Sequence, residues 1–270
     1  MATHSETVDI LVDDEHIAGT FLSPPAKMPG VLFVHGWGGS QQRDLTRARG
    51  IAGLGCVCLS FDLRGHAQTR AQQESVTREQ NLADLLAAYD LLAQHPHIDP
   101  SAIAVVGTSY GGYLATILTS LRPVKWLALR VPALYRDEDW NLPKRQLDRD
   151  VLNQLRSRRV LPEENRALAA CSAFRGDVLI VESQHDTFVP HETIMSYRAA
   201  FHRTQSLTHR IIEGADHALS NERCQEAYTS ILVNWATEMV IGARLDEKSA
   251  AGFRGVDEGE EPGRGAVQSS

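Results

Sequence analysis

The sequence predicts a three-layer α/β domain, a mostly parallel sheet with helices on both faces. Three observations predict it. Short apolar runs alternate with helical patterns from Val8 to about Met239. Most of those runs lack the polar alternation of a half-exposed strand, as strands buried on both faces do. One run leads directly into a glycine-flanked serine followed by a helix-forming stretch.

Taken in order, residues 8–12 and 17–22 alternate like strands across the polar turn Asp13-Asp14-Glu15 and read as a hairpin. Buried strands are expected at 31–34, 56–61, 103–106, 126–131, 178–182 and 209–212. Helices fill the gaps between them. Over 77–93, Thr77 and Gln80 have capping-box spacing, Leu82, Leu85, Leu86, Tyr89 and Leu92 form an apolar stripe, and Pro96 lies just beyond. Another helix begins near Tyr110, and a last one covers roughly 223–240. Residues 133–172 break the alternation: Trp140, Leu147, Val151, Leu152 and Leu155 sit amid dense mixed charge, which predicts a small helical cap inserted over one edge of the sheet. From Ala243 the chain turns to glycine, serine and charge, with too little apolar matter to fold. The expected organisation is therefore one domain over 1–242, carrying a cap at 133–172, and a disordered tail at 243–270.

Composition excludes several function classes. The chain has 270 residues, 43% hydrophobic, with 27 basic against 34 acidic side chains and a net charge of -7. An acidic balance offers no field for phosphate, so nucleic acid is not an expected partner. The apolar runs fall far short of the ~20 residues that cross a bilayer, so no membrane insertion is expected. The opening Met1-Ala2-Thr3-His4-Ser5-Glu6 lacks the pattern of a secretory signal, and a cytoplasmic location is the expectation. Cys56, Cys58, Cys171 and Cys224 have neither zinc-site nor redox-motif spacing and read as reduced core thiols.

The chemistry sits in Gly107-Thr108-Ser109-Tyr110-Gly111. As a bare pattern G-x-S-x-G occurs by chance in roughly one chain in ten of this size. Its position after a buried strand and before a helix is what gives it meaning, because so sharp a turn leaves no room for Cβ atoms at 107 and 111 and lifts Ser109 above the strand end. A serine hydroxyl is a weak nucleophile until a base takes its proton and a third group orients that base. Asp186 follows the strand at 178–182 and His217 follows the strand at 209–212, giving the order Ser109, Asp186, His217 at successive strand ends. Asp216 and His185, their sequence neighbours, are the competing acid and base. An oxyanion would be held by two backbone N–H groups, one from Tyr110 and one from the glycine-rich loop His35-Gly36-Trp37-Gly38-Gly39, where Trp37 is the choice. The same loop is a poor dinucleotide fingerprint, since Gln41 occupies its third glycine position.

With those residues in view, the chain resembles serine hydrolases of the α/β-hydrolase superfamily over roughly 7–241. The motifs are His35-Gly36-Trp37-Gly38-Gly39, Asp62-Leu63-Arg64-Gly65-His66, Gly107 to Gly111, Asp186 and His217. The stretch from Gly107 to Tyr113, with Asp186 ahead of Val189-Pro190, is especially similar to prolyl-oligopeptidase-like catalytic domains and to dienelactone-hydrolase-like esterases. The resemblance implies the α/β-hydrolase fold, an eight-stranded, mostly parallel sheet whose second strand runs antiparallel. Departures are visible too. There is no space for a propeller domain, Ser109 stands where dienelactone hydrolases proper use cysteine, and Ala67 replaces the family's usual second glycine after His66, so a different turn is expected there.

The expected activity is hydrolysis of a carboxylic ester or thioester of a small to medium substrate through an acyl-enzyme on Ser109, with no metal and no organic cofactor. Trp140 and the cap leucines could line the pocket. Arg130, near the C-terminal edge of the sheet, would either bind a substrate carboxylate or pair with a structural Asp or Glu, the latter being favoured. A peptidase or amidase using the same three residues is the alternative. Its aminopeptidase form would need Asp137, Glu138 and Asp139 to hold the substrate ammonium. A non-catalytic ligand-binding member of the fold is a third reading, and the oligomeric state is left open.

Overall fold

The computed structural model of the chain describes residues 4–23 and 28–254. Eight strands form one sheet: β1 (His4–Val12), β2 (Glu15–Ser23), β3 (Met28–Val34), β4 (Val57–Phe61), β5 (Ile98–Thr108), β6 (Trp126–Arg130), β7 (Asp177–Ser183) and β8 (Ser206–Ile212), in the order β1-β2-β4-β3-β5-β6-β7-β8. β2 pairs antiparallel with both of its neighbours, and every pairing from β4 to β8 is parallel. This is the sheet that the family resemblance implies.

The absence of polar alternation has a direct cause. Successive residues of the central strands feed two separate cores: Leu32, Val34, Val105, Leu127 and Leu129 face one, while Val31, Phe33, Val106, Trp126 and Ala128 face the other. The first is covered by α2 (Arg78–Ala93), α3 (Tyr110–Leu118), α5 (Arg166–Ala173) and α6 (His191–Ala200). The second is covered by α1 (Gln42–Ala52) and α7 (Glu222–Arg254). With apolar demand on both sides, every second residue could not be polar. No disulfide joins the four cysteines among the described residues, and all four are buried among these layers.

Strand order places the functional residues. After β3 the chain steps outward to β4, then returns across β3 to β5, so the loops leaving β3 and β5 diverge and open a crevice at the C-terminal edge of the sheet. Residues 133–172, expected as a cap, form α4 (Arg149–Arg156), α5 and short 3-10 turns, without a strand. Both cap helices are started by side chains: Asp148 accepts from the N–H groups of Asp150 and Val151 at 2.8 and 3.2 Å, and Asn165 from those of Ala167 and Leu168 at 3.1 and 3.4 Å. The capping box read from Thr77 and Gln80 is formed at the start of α2.

Two details differ from expectation. α7 continues to Arg254, past the position at 242 where the domain was expected to end; of the predicted tail, 255–270 lies outside the described residues. Among the described residues no helix is long and apolar enough to cross a membrane. The second detail is Ala67. It has a left-handed backbone, φ 44°, at the position where the family resemblance leads one to expect glycine. The turn here is of a glycine-favouring kind with a Cβ in it, a conformation that costs an L-residue on the order of 1 kcal/mol. Ala67→Gly is expected to raise the urea midpoint slightly, by up to about 0.5 kcal/mol of stability after glycine's extra chain entropy is subtracted; a midpoint lowered by about 0.5 kcal/mol or more would count against strain at this turn.

Candidate active site

Ser109 bridges β5 and α3 in a single residue, with φ 52° and ψ -110°. That backbone is disfavoured by about 1–2 kcal/mol for any residue with a side chain. It is held from several sides. The Ser109 N–H donates to the Arg130 carbonyl at 2.9 Å, and the Ser109 carbonyl accepts from Tyr113 and Ala133 at 3.1 and 3.0 Å. The flanking glycines are required sterically: a Cβ at Gly107 would lie 2.6 Å from Gly112 Cα, and one at Gly111 only 2.3 Å from the Val34 carbonyl oxygen. The elbow is thus pressed against the end of β3.

Asp186 and His217 come from the loops after β7 and β8, which are laced together. His185 N–H donates to the Ala215 carbonyl at 2.8 Å, and Gly214 N–H to Gln184 Oε1 at 2.7 Å. Asp186 Oδ1 accepts the N–H groups of Phe188 and Val189, both at 2.8 Å, and Oδ2 sits 2.6 Å from His217 Nδ1. With both carboxylate oxygens occupied and the side chain only 2% exposed, Asp186 has one orientation available. His217 Nδ1 then carries the proton toward Asp186, and Nε2 is left for the cavity. Asp216 turns away instead, accepting from the Ser220 N–H and hydroxyl at 2.8 and 2.6 Å. Ser109 and His217 line the same two cavities, of about 750 and 590 Å³. No hydrogen bond joins them among the described residues, a looseness common before substrate binds.

The loop carrying Trp37 makes the remaining wall. Gly39 N–H closes a turn onto the Gly36 carbonyl at 2.9 Å, and a Cβ at Gly36 would come within 3.3 Å of Ser109 Cβ, so the loop lies directly on the elbow. Tyr110 is the first residue of α3, and its N–H has no acceptor within the helix. Sequence reasoning missed what fixes this loop. His66 Nε2 accepts the Gly38 N–H at 3.0 Å, and His35 Nε2 accepts the Leu63 N–H at 3.0 Å while its Nδ1 faces the Gly36 carbonyl at 2.8 Å. Asp62 accepts from the backbone and side-chain N–H groups of Gln41 at 2.7 and 3.1 Å. Each histidine uses Nε2 as an acceptor, so each must be neutral. Burial first, then the neighbouring His66, pulls His35 down to about 3, and burial lowers His66 as well. Both histidines lie inside motifs visible in the sequence, but their partners are 28 residues away along the chain.

Other predicted residues fall in varied places. Arg130 lines the larger cavity but makes no ion pair with a carboxylate among the described residues; it donates to the His217 carbonyl at 2.9 Å and reaches Ser183 Oγ at 3.5 Å. The structural Asp or Glu favoured as its partner is not found; it pairs with backbone instead and holds the His217 loop. Trp140 lines neither cavity beside Ser109 and stacks under the Arg166 guanidinium, 4.1 Å from its ring centroid. Asp137, Glu138 and Asp139 are also away from both cavities: Asp137 pairs with Arg166 at 3.2 Å, and Glu138 and Asp139 with Arg136 at 3.2 and 3.9 Å. The ammonium-binding role considered for them is not supported by this placement, because cap cations have neutralised them. Among the described residues no three His, Cys, Asp or Glu side chains cluster as metal ligands.

Comparison with known proteins agrees with this geometry. Residues 44–242 match the sequence profile described as the prolyl oligopeptidase family, well over half of the chain. The chain belongs to that family. Two curated Mycobacterium tuberculosis sequences, both described as uncharacterized proteins, are 35% identical over 105 residues; the match spans 38% of this chain and 36% of each relative. Among solved structures, Est1E from Butyrivibrio proteoclasticus with ferulic acid bound has a TM-score of 0.68 at 18% identity, covering 87% of this chain and 99% of that one. A dienelactone hydrolase from Anabaena variabilis has a TM-score of 0.63 at 19% identity, with 86% and 96% coverage. An acylaminoacyl peptidase from Pyrococcus horikoshii has 0.64 at 14% identity, with 87% of this chain matching 41% of that chain. These likenesses establish the α/β-hydrolase fold.

The two neutral histidines give the fold a pH dependence. Between about 3 and 6.5 the unfolded chain binds a proton at position 35 that the folded chain does not, so stability rises with pH through that window and is complete above it. Asp44, raised to about 6 by burial, acts in the opposite direction between its ordinary value and 6. On acidification below pH 6.5, His35 alone is expected to cost up to about 1.4 kcal/mol per pH unit. Urea midpoints at pH 7 and 5 should fall further apart in the wild type than in His35→Gln, and equal separations would contradict a neutral imidazole at this position.

Proposed function

We propose that this chain, a hydrolase by family, is a serine hydrolase that cleaves a carboxylic ester or thioester of a small to medium substrate through an acyl-enzyme on Ser109. The observation that carries the reading is the 2.6 Å contact of His217 Nδ1 with a fully engaged Asp186, in loops that bring His217 to the cavities lined by a strained Ser109. Ser109 Oγ attacks the carbonyl carbon while His217 Nε2 takes its proton. Asp186 holds the imidazole in that tautomer and stabilises the imidazolium. The N–H groups of Trp37 and Tyr110 receive the oxyanion, and the N-terminal end of α3 adds its positive dipole there. Collapse of the tetrahedral intermediate breaks the bond to the alcohol or thiol, which leaves with the proton from His217. A water, deprotonated by His217, then attacks the acyl carbon and releases the acid and Ser109.

The ester reading is preferred over an aminopeptidase because the three acidic cap residues that would hold a substrate ammonium are paired with arginines away from Ser109. Relatives in fold include proteins named for both chemistries, a dienelactone hydrolase and an acylaminoacyl peptidase. Matched aryl esters and aryl amides therefore separate the two, with faster turnover expected on the ester. Ser109→Ala should lose roughly 10³-fold or more in kcat, together with labelling by a fluorophosphonate probe. Retained labelling would remove Ser109 as nucleophile.

Arg130 supplies a separate test. Through its hydrogen bond to the His217 carbonyl it is a positioning residue, so Arg130→Met should lower kcat roughly tenfold on neutral and carboxylate-bearing esters alike, with KM little altered. A loss confined to KM for carboxylate esters would make it a substrate contact instead.

A further inference from the structure

The smaller cavity, of about 590 Å³, is bounded on one side by Ser109, His217 and Trp37 and on the other by the cap. Its lining contains Lys144, Arg145, Arg149 and Arg156 and no aspartate or glutamate. In a chain of net charge -7 this is a local reversal, and the question is which of these cations is already committed.

Arg156 spends its guanidinium on the carbonyls of Leu134 and Phe188 at 3.0 and 3.1 Å. Arg145 pairs with Glu74 at 3.3 Å and with Gln73 Oε1 at 3.3 Å. Arg149 is exposed, at the first turn of α4. Lys144 is different. Its ammonium lies 4.5 Å from the Trp37 ring centroid and 5.7 Å from those of Tyr110 and Tyr135, and no carboxylate pairs with it among the described residues. Burial, with the nearby charges of Arg156 and Arg78, lowers its affinity for the proton, while Tyr135 works the other way. Aromatic faces and a hydrogen bond with the Tyr135 side chain compensate a desolvated ammonium only in part, because a ring quadrupole and a neutral hydroxyl are weaker partners than an anion. The backbone at this position is tied down, since the Lys144 N–H donates to the Val76 carbonyl at 3.3 Å and Pro143 bridges to Thr77.

Two of the three rings belong to Trp37 and Tyr110, the residues whose N–H groups receive the oxyanion in the proposed reaction. The cation is therefore built into the wall next to the scissile carbonyl. We propose that Lys144 is a specificity residue and that the substrate is an ester bearing a carboxylate, whose charge pairs with Lys144 in the cap cavity. The inference rests on the Ser109-centred reading and deepens it. A compact ammonium suits a single carboxylate, whereas a phosphate group would favour the forked donors of an arginine, and those of Arg145 and Arg156 are engaged.

The experiment uses the full chain and three esters followed by acid release: ethyl pentanoate, monoethyl succinate with the carboxylate on the acyl side, and 3-butanoyloxypropanoate with it on the alcohol side. At least one carboxylate ester should exceed the neutral ester in kcat/KM by roughly tenfold to a hundredfold, as expected for a charged hydrogen bond in a shielded site. Which one is favoured identifies whether the cavity takes the acyl or the alcohol portion. Lys144→Met should abolish the preference, Lys144→Arg should keep most of it, and added salt should reduce it in the wild type. A wild-type preference for the neutral ester, or a carboxylate preference that survives in Lys144→Met, would overturn the proposal. If Lys144→Met does not fold, the wild-type preference and its Lys144→Arg counterpart decide. Hydrolysis of all three esters that persists in Ser109→Ala would instead overturn the underlying reading, while loss of all three in Ser109→Ala without any carboxylate preference would leave that reading standing and remove this one.

Discussion

The left-handed backbone at Ser109 constrains everything around it. A strand can be turned into a helix within one residue only if the neighbours at 107 and 111 have no Cβ and if the strained residue is tied down on both sides. β6 and the segment after it supply those ties through Arg130 and Ala133, while the end of β3 closes against Gly111. The elbow therefore exists only when three adjacent strands are already in register. Burial of both faces of those strands provides the free energy that offsets the strain, and a side chain so placed can stand out from the sheet without being mobile.

The same closeness governs the loop opposite. Because Gly36 packs on the Ser109 Cβ, any drift of the Trp37 loop would be felt at the hydroxyl, and the loop has no regular structure of its own to resist it. Two buried imidazoles provide that resistance. Each offers a ring nitrogen as acceptor to a backbone N–H, Gly38 for His66 and Leu63 for His35, and their rings meet edge-on at 4.9 Å. A carboxylate in place of either would bring a charge into the apolar interior; an amide would lack the flat ring that Trp37 packs against at 4.8 Å. Neutral histidine satisfies both demands, at the cost of a fold that weakens when protons become abundant.

These relations explain which parts could be read from the chain. The sheet, the elbow and the order Ser109, Asp186, His217 are written in local patterns: apolar runs of strand length, glycines two residues either side of a serine, and loops following the last strands. The capping box at Thr77 was legible for the same reason, since both partners lie within one turn of helix. The supports of the Trp37 loop were not, because an acceptor nitrogen in His66 has no signature until β3 and β4 are paired. Arg130 was legible as a residue needing a partner, but the partner proved to be a backbone carbonyl, which every residue carries and no sequence can single out. Trp140 shows the limit from the other side: an aromatic in a cap reads equally as pocket wall or as packing, and Arg166 stacked on its ring decides for packing.

The cap sorts charge in a way that composition conceals. Its acidic residues pair with arginines away from Ser109, as Asp137 does with Arg166 and Glu164 with Arg158, whereas its turn at Lys144–Gln146 delivers cations toward the cavity. What enforces the sorting is attachment to α2. Pro143 bridges to Thr77, the Lys144 N–H reaches the Val76 carbonyl, and buried Arg78 donates to the Asp139 carbonyl. These three contacts join the cap to the first turn of a helix whose other side packs in the main core, so the cavity wall inherits the rigidity of the domain rather than the mobility of a surface insertion. A cation placed in that way beside Trp37 has rings and a neutral hydroxyl for partners but no carboxylate among the described residues, and the compensation it lacks within the chain is what a bound anion would supply.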